Sequence, residues 1–225
     1  MNQIDYSTVQ TQTADAVASN PAKVLRNTYL LLSLTLLFSA VTAGIAMALG
    51  LGRGAGLILT LVAFGMLFWV QRTENSSQGL LAVFAFTGCM GAALGPILTA
   101  FLALQQGPLL VMQALAATAL VFLALSGYAL ASRKDFSFLG GFLFTGLIVV
   151  MIAALANIFF QVAVLSLLLP AIIVLLMSGL ILFDTSRIVH GGETNYIRAT
   201  VSLYLNIYNL FTALLQLLGI FGSDD

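Results

Sequence analysis

Apolar residues in this chain gather into seven long runs separated by short polar stretches. Each run approaches the roughly 20 residues that a helix needs to cross a hydrocarbon layer, and none shows the short alternating segments of a membrane barrel. The pattern predicts helical spans over residues 27–49, 56–70 with a continuation into Arg72, 79–103, 109–131, 138–160, 164–183 and 199–221. Ahead of the first run, Asn20 is placed to cap a helix and Pro21 to take its first position. Pro96 is expected to kink the third helix, and Pro170 falls in the first turns of the sixth. Gly91 and Gly95 make a GxxxG face on the third helix that allows a neighbour to approach closely. FAFTG at 84–88 returns as FLFTG at 142–146, an echo too short to establish a repeat. The domain organisation expected is a tail over 1–22, a transmembrane domain over 23–222 and a short periplasmic tail over 223–225. Within 1–20 only Ile4, Tyr6, Val9 and Val17 are larger aliphatic or aromatic side chains. These bury too little surface to offset the entropy of ordering, so a mobile cytoplasmic tail is expected.

The seventh run differs from the others in its polar content. At 100° per residue from Ser202, Asn206 lies at about 40°, Asn209 at about 340° and Gln216 at about 320°, so the four share one face. An unpaired amide in hydrocarbon costs on the order of a few kcal/mol. This face should therefore meet protein or water, which predicts a bundle with helix seven at its centre.

Composition turns a pattern of apolar runs into a class. The 225 residues are 60% hydrophobic and 7% charged, and mean hydropathy is +1.07. A soluble domain carries about 25% charged residues, so the chain reads as an all-α integral membrane protein. Formal net charge is zero, which gives no electrostatic footing for nucleic acid. The lone Cys89, inside an apolar run, excludes an internal disulfide and a cysteine metal cluster and reads as a packing residue. Distribution of charge then gives orientation. With the N-terminus cytoplasmic, Lys23, Arg26, Arg72, Arg133, Lys134, Arg187 and Arg198 lie inside and only Arg53 outside. The positive-inside rule selects that topology, N-in and C-out.

Ionisable and polar groups near the membrane are the candidates for chemistry. Asp184 ends the sixth run; it is either a functional carboxylate or an interfacial one paired with Arg187 at i+3. The following loop holds Arg187, the only histidine, His190, and Glu193. One imidazole on a segment loosened by Gly191 and Gly192 does not make a zinc site, and no metal is assigned. Ser186 with His190 lacks the strand–turn–helix elbow of a hydrolase, so no catalytic residue and no cofactor is assigned. Tyr204 and Tyr208 are either headgroup anchors or packing residues, while Tyr196, in the loop, is the better anchor.

Several motifs converge on one family. Gly79-Leu80-Leu81-Ala82, Gly91, Leu94-Gly95-Pro96-Ile97-Leu98, RKDFSFLGG at 133–141, Asn157-Ile158-Phe159 and SLYLNIYNLF at 202–211 resemble the signature of the Bax-inhibitor (TMBIM) family. The resemblance covers nearly everything from Lys23 to Gly222. Residues 23–36 and 188–204 resemble the bacterial inner-membrane branch of the family that modulates the FtsH protease.

The resemblance implies two activities. Members related to a bacterial calcium leak carry an Asp at the end of helix six, a second on helix seven that shares a proton with it, and an Arg from helix two. Asp184 matches the first, the second falls at Asn206, and the basic partner maps near Arg72. Like-charge repulsion raises one pKa of a carboxylate pair; a single Asp beside a neutral Asn lacks that interaction, which leaves at most weak Ca2+ binding at Asp184. The other implied activity is modulation of FtsH. An energy-dependent protease in the same membrane needs an unfolded cytoplasmic end to engage, and the tail over 1–22 suits that role. The sequence favours a modulator that is not an enzyme, with the lipid bilayer and FtsH as partners, and the cation leak as the alternative. Oligomeric state is not encoded legibly.

Overall fold

The computed structural model describes residues 20–222. Residues 1–19 of the expected tail and the last three residues lie outside the described residues; the rest of the expected tail is not tail, since Asn20 caps the first helix and Pro21 and Ala22 are its first residues. Seven helices, each long and apolar enough to cross a membrane, make up the described fold: α1 (Pro21–Ala48), α2 (Arg53–Thr73), α3 (Gln78–Leu102), α4 (Gly107–Ser132), α5 (Gly140–Phe160), α6 (Ala163–Val189) and α7 (Tyr196–Phe221). A single 3-10 turn, Ser137–Leu139, precedes α5, and there is no strand among the described residues.

Helix ends follow local chemistry. The Asn20 side chain accepts from the Ala22 N–H at 3.0 Å, and Pro21 opens α1 as its sequence position implies. Asn195 caps α7 by accepting from the N–H groups of Ile197 and Arg198. α3 is helical on both sides of Pro96 and α6 on both sides of Pro170.

The one large difference in boundaries is at α6, which continues to Val189 instead of stopping at Phe183. Its polar exit residues do not end the helix because their side chains find partners on other elements, as described below. The stop comes at Gly191, at φ +74°, a left-handed position that glycine occupies without a Cβ penalty. Ser186 and Arg187 are therefore helical residues, not loop residues, and Tyr196 is the first residue of α7.

α7 packs against α1, α3, α4 and α6, while α2 packs on α3 and α5 on α6. The main buried cluster joins Leu31 and Leu32 of α1, Val83 and Phe86 of α3, and Leu203 and Tyr204 of α7. α2 and α5 carry much of the exposed apolar surface, including Leu57, Phe68, Phe142 and Phe159. Such surface belongs against lipid, where apolar side chains need no cover. The GxxxG face is used as expected. A Cβ on Gly91 would land on the Ser39 carbonyl oxygen and Thr42 Oγ1, and one on Gly95 would stand 2.6 Å from Ala46 Cβ, so α1 lies directly against the α3 backbone. Cys89, half-buried, packs its Sγ 3.9 Å from Met66 Sδ at the α2–α3 contact.

Candidate functional site

Asp184 stands on α6 a little more than one turn from its end and is 8% exposed. A carboxylate in that position needs donors, and α7 supplies them. Ser202 Oγ donates to Asp184 Oδ2 at 2.5 Å and Asn206 Nδ2 donates to the same oxygen at 2.8 Å. The spacing i, i+4 on α7 brings both side chains to one point on the facing helix. Oδ1 accepts no hydrogen bond among the described residues. The position where the resemblance places a second carboxylate thus holds an amide that is already committed as a donor.

The surrounding charges do not neutralise Asp184 by direct contact. Arg187 pairs with Glu193 at 3.6 Å, donates to the Gly192 carbonyl at 3.2 Å and covers the Phe183 ring at 5.5 Å. It is not the i+3 partner of Asp184 that the sequence spacing offered; the turn at Gly191–Gly192 brings Glu193 back beneath it. Arg72 sits exposed in the last turn of α2 and forms no ion pair or hydrogen bond among the described residues. The structure therefore gathers Asp184, Ser202 and Asn206, sets Arg187 and Glu193 nearby as their own pair, and leaves Arg72 outside the group.

Two residues beyond Asp184, Ser186 fastens the α4–α5 connection. Its Oγ accepts from the Phe136 N–H at 3.0 Å and donates to the Lys134 carbonyl at 3.2 Å. His190 completes this clip, with Nδ1 2.9 Å from the Ser186 carbonyl oxygen and Nε2 3.0 Å from that of Arg133. Carbonyl oxygens only accept, so both nitrogens must donate, and only the imidazolium has two N–H groups. The Ser186 carbonyl, then that of Arg133, and more weakly the Asp135 carboxylate push the His190 pKa above its ordinary value. The Ser137 hydrogen bonds, and to a smaller extent His190, hold that of Asp135 down.

A third tie links the α2–α3 connection to α7. Arg198 binds Glu74 through two nitrogens, and Asn195 Nδ2 donates to the Glu74 carbonyl and to Asn75 Oδ1.

The remaining polar positions of α7 divide. Asn209 is half-buried and donates to the Leu205 carbonyl of its own helix. Gln216 is exposed, contrary to the expectation that the whole face meets protein; its neighbour Leu215 is fully buried, so Gln216 lies on the uncovered side of α7 at this level. Tyr204 is a packing residue, 1% exposed, with its hydroxyl 2.5 Å from Ser39 Oγ and 3.3 Å from the Thr87 carbonyl oxygen. Tyr196 packs half-buried against the main cluster. The Ser39–Tyr204–Thr87 group was not legible in the sequence. A serine within an apolar run facing a tyrosine 165 positions away leaves no local trace.

A family model described as inhibitor of apoptosis-promoting Bax1 matches residues 21–223. The chain belongs to the Bax-inhibitor family. Among curated relatives, the modulator of FtsH protease YccA from Escherichia coli is 54% identical over 204 residues, covering 90% of this chain and 92% of that one. An uncharacterized membrane protein of Vibrio cholerae is 53% identical over the same shares. An uncharacterized protein of Pseudomonas aeruginosa is 46% identical over 96% of this chain and 97% of its own. With these bacterial relatives, one of them named an inner membrane protein, this family member is a multi-pass protein of the bacterial inner membrane.

Proposed function

We propose that this Bax-inhibitor family protein is a regulator, not an enzyme, that modulates the FtsH protease of the same membrane. The observation that carries the proposal is its 54% identity, over 92% of the relative, to the modulator of FtsH protease YccA. Engagement runs through the N-terminal tail ahead of α1, with the N-terminus cytoplasmic and the C-terminus periplasmic. Lys23, Arg26, Arg72, Arg133, Lys134, Arg187 and Arg198 then all face the cytoplasm, as the positive-inside rule requires. Helix seven takes the central place in the bundle, so that the compact fold resists extraction while the tail occupies the protease. The test is degradation of a reporter substrate by the solubilised protease with full-length protein or protein lacking residues 1–19. Full-length protein slows degradation and the truncated form does not. Equal inhibition by both moves the contact to the bundle or its loops.

A cation leak is the second reading, and the buried carboxylate of Asp184 favours it. Ser202 and Asn206 already donate to one oxygen of Asp184, so a cation would meet little more than the other oxygen, and no second carboxylate is there to share a proton; any Ca2+ binding is weak. Calcium flux in proteoliposomes should therefore be small and nearly flat with pH around neutrality. A steep pH-gated flux from the unaltered protein makes the leak its main function.

A further inference from the structure

Between α1 and α4, in the half of the bundle away from the Asp184 site, lies a slot of about 520 Å3. Its walls come from Leu36–Met47 of α1 and Val111–Leu123 of α4, and its floor from Tyr204, Tyr208 and Phe211 of α7. The slot exists because of small side chains. Ala40 and Gly44 on one wall and Ala119 on the other leave the space open, and a Cβ added at Gly44 would meet no atom within 4 Å.

We propose that this slot is a binding site for one acyl chain of a membrane lipid. Its flanks carry Leu37, Val41, Leu115 and Leu123, all exposed apolar residues of membrane-spanning helices. The mouth therefore opens to hydrocarbon, and its occupant comes from the bilayer. The α1 wall covers about 16 Å at 1.5 Å per residue. A single flexible methylene chain matches a slot of that length and volume. The chemistry of the lining points the same way. Ser39 and Tyr204 are bonded to each other, and Thr118 donates to the Ala114 carbonyl. Of the hydroxyls lining the slot, only that of Tyr208 is without a hydrogen bond to the described residues, so the slot offers little to a polar ligand. An empty slot would deprive its lining of dispersion contacts on one side, and a methylene chain restores them.

The test uses full-length protein in vesicles of phosphatidylethanolamine and phosphatidylglycerol containing a phospholipid with a photoreactive group along one acyl chain. After illumination, labelled residues are mapped by mass spectrometry. Label is expected on the α7 floor, at Tyr208 or Phe211, in addition to the outward-facing belt. Gly44→Phe and, from the opposite wall, Ala119→Phe each reduce floor labelling about tenfold or more by removing space for several methylenes, while label on Leu57 and Phe142 of the outer belt is unchanged. Absence of floor label in the unaltered protein overturns the proposal, whatever the variants do. So does floor label undiminished in both variants, or a crosslinked second copy seated at the slot.

Discussion

Asp184 shows how a buried carboxyl group is held without a counter-ion in contact. Two neutral donors from α7 converge on one of its oxygens, and removing either leaves the carboxylate short of a partner in a place where water does not replace it. Asn206→Ala should lower unfolding free energy by about 1–3 kcal/mol, read as a drop in the thermal midpoint in detergent. Asn206→Asp sets two carboxyls against each other at the separation now spanned by a hydrogen bond. The pair then shares a proton, and losing that proton as pH rises drives α6 from α7. That variant should gain a pH-dependent calcium flux in proteoliposomes, and Asp184→Asn in the same background should remove it. His190 makes a different pH prediction. Its folded pKa lies above the ordinary 6.5, so its contribution to the clip is complete below that value and is lost as pH rises through the folded pKa. That of Asp135 lies below the ordinary 3.8, so its contribution is present above that value and lost as pH falls through the folded pKa. The charged group acting on His190 is Asp135 of the α4–α5 connection, while Arg187 and Glu193 pair with each other. Because the chain has one histidine, imidazole 15N labelling gives a single titration to follow. Both ring nitrogens should remain protonated above pH 6.5, with the 133–137 segment loosening as the proton leaves. A spin label in that segment should show no such transition in His190→Gln.

Among the elements, the spans themselves were legible because hydrocarbon imposes length and polarity on each helix separately. The end of α6 was not. Asp184, Thr185, Ser186 and Arg187 look like a chain leaving the membrane, yet the partners of the first three sit on α7, at Ser126 of α4 and in the 133–136 connection. Tertiary hydrogen bonds of that kind keep a polar run helical and leave no periodic mark. The polar face of α7 was legible at Ser202 and Asn206 and misleading at Gln216, since angle around one helix does not say which sides its neighbours cover at each level. The Gly91–Gly95 face was read correctly as a close contact, though which helix it meets was not. Gly91→Ala puts a methyl into the Ser39 carbonyl and should cost about 1–3 kcal/mol by forcing α1 and α3 apart. Gly65→Ala, with no atom within 4 Å of the added carbon, should be neutral or slightly stabilising in the same melts.

At the scale of the whole molecule, the proposed orientation is tested by single cysteines in a Cys89→Ser background. Arg53→Cys should react with an impermeant reagent from outside the cell and Lys134→Cys only after lysis; the reverse pattern inverts the topology. A cysteine at 206 reacting freely from the lipid phase would remove helix seven from the centre.

The ties between distant connections gather at one end of the bundle: Glu74 with Arg198, Asn195 with Asn75, and Ser186 and His190 with residues 133–136. A Cβ added at Gly191 would stand 4.0 Å from Pro21 Cγ, so the start of α1 lies at this same end. Mechanically, the molecule is a sheaf bound tightly at the end where its first helix begins. Tension applied at the residues before Pro21 does not peel α1 away one turn at a time. It loads the whole seam with α3 and α7 in shear, including the close-packed stretch at Gly91 and Gly95. A seam sheared along its length yields in one large step, and optical-tweezer extraction from that end should show a single high-force rupture where pulling from the C-terminal end shows several smaller ones.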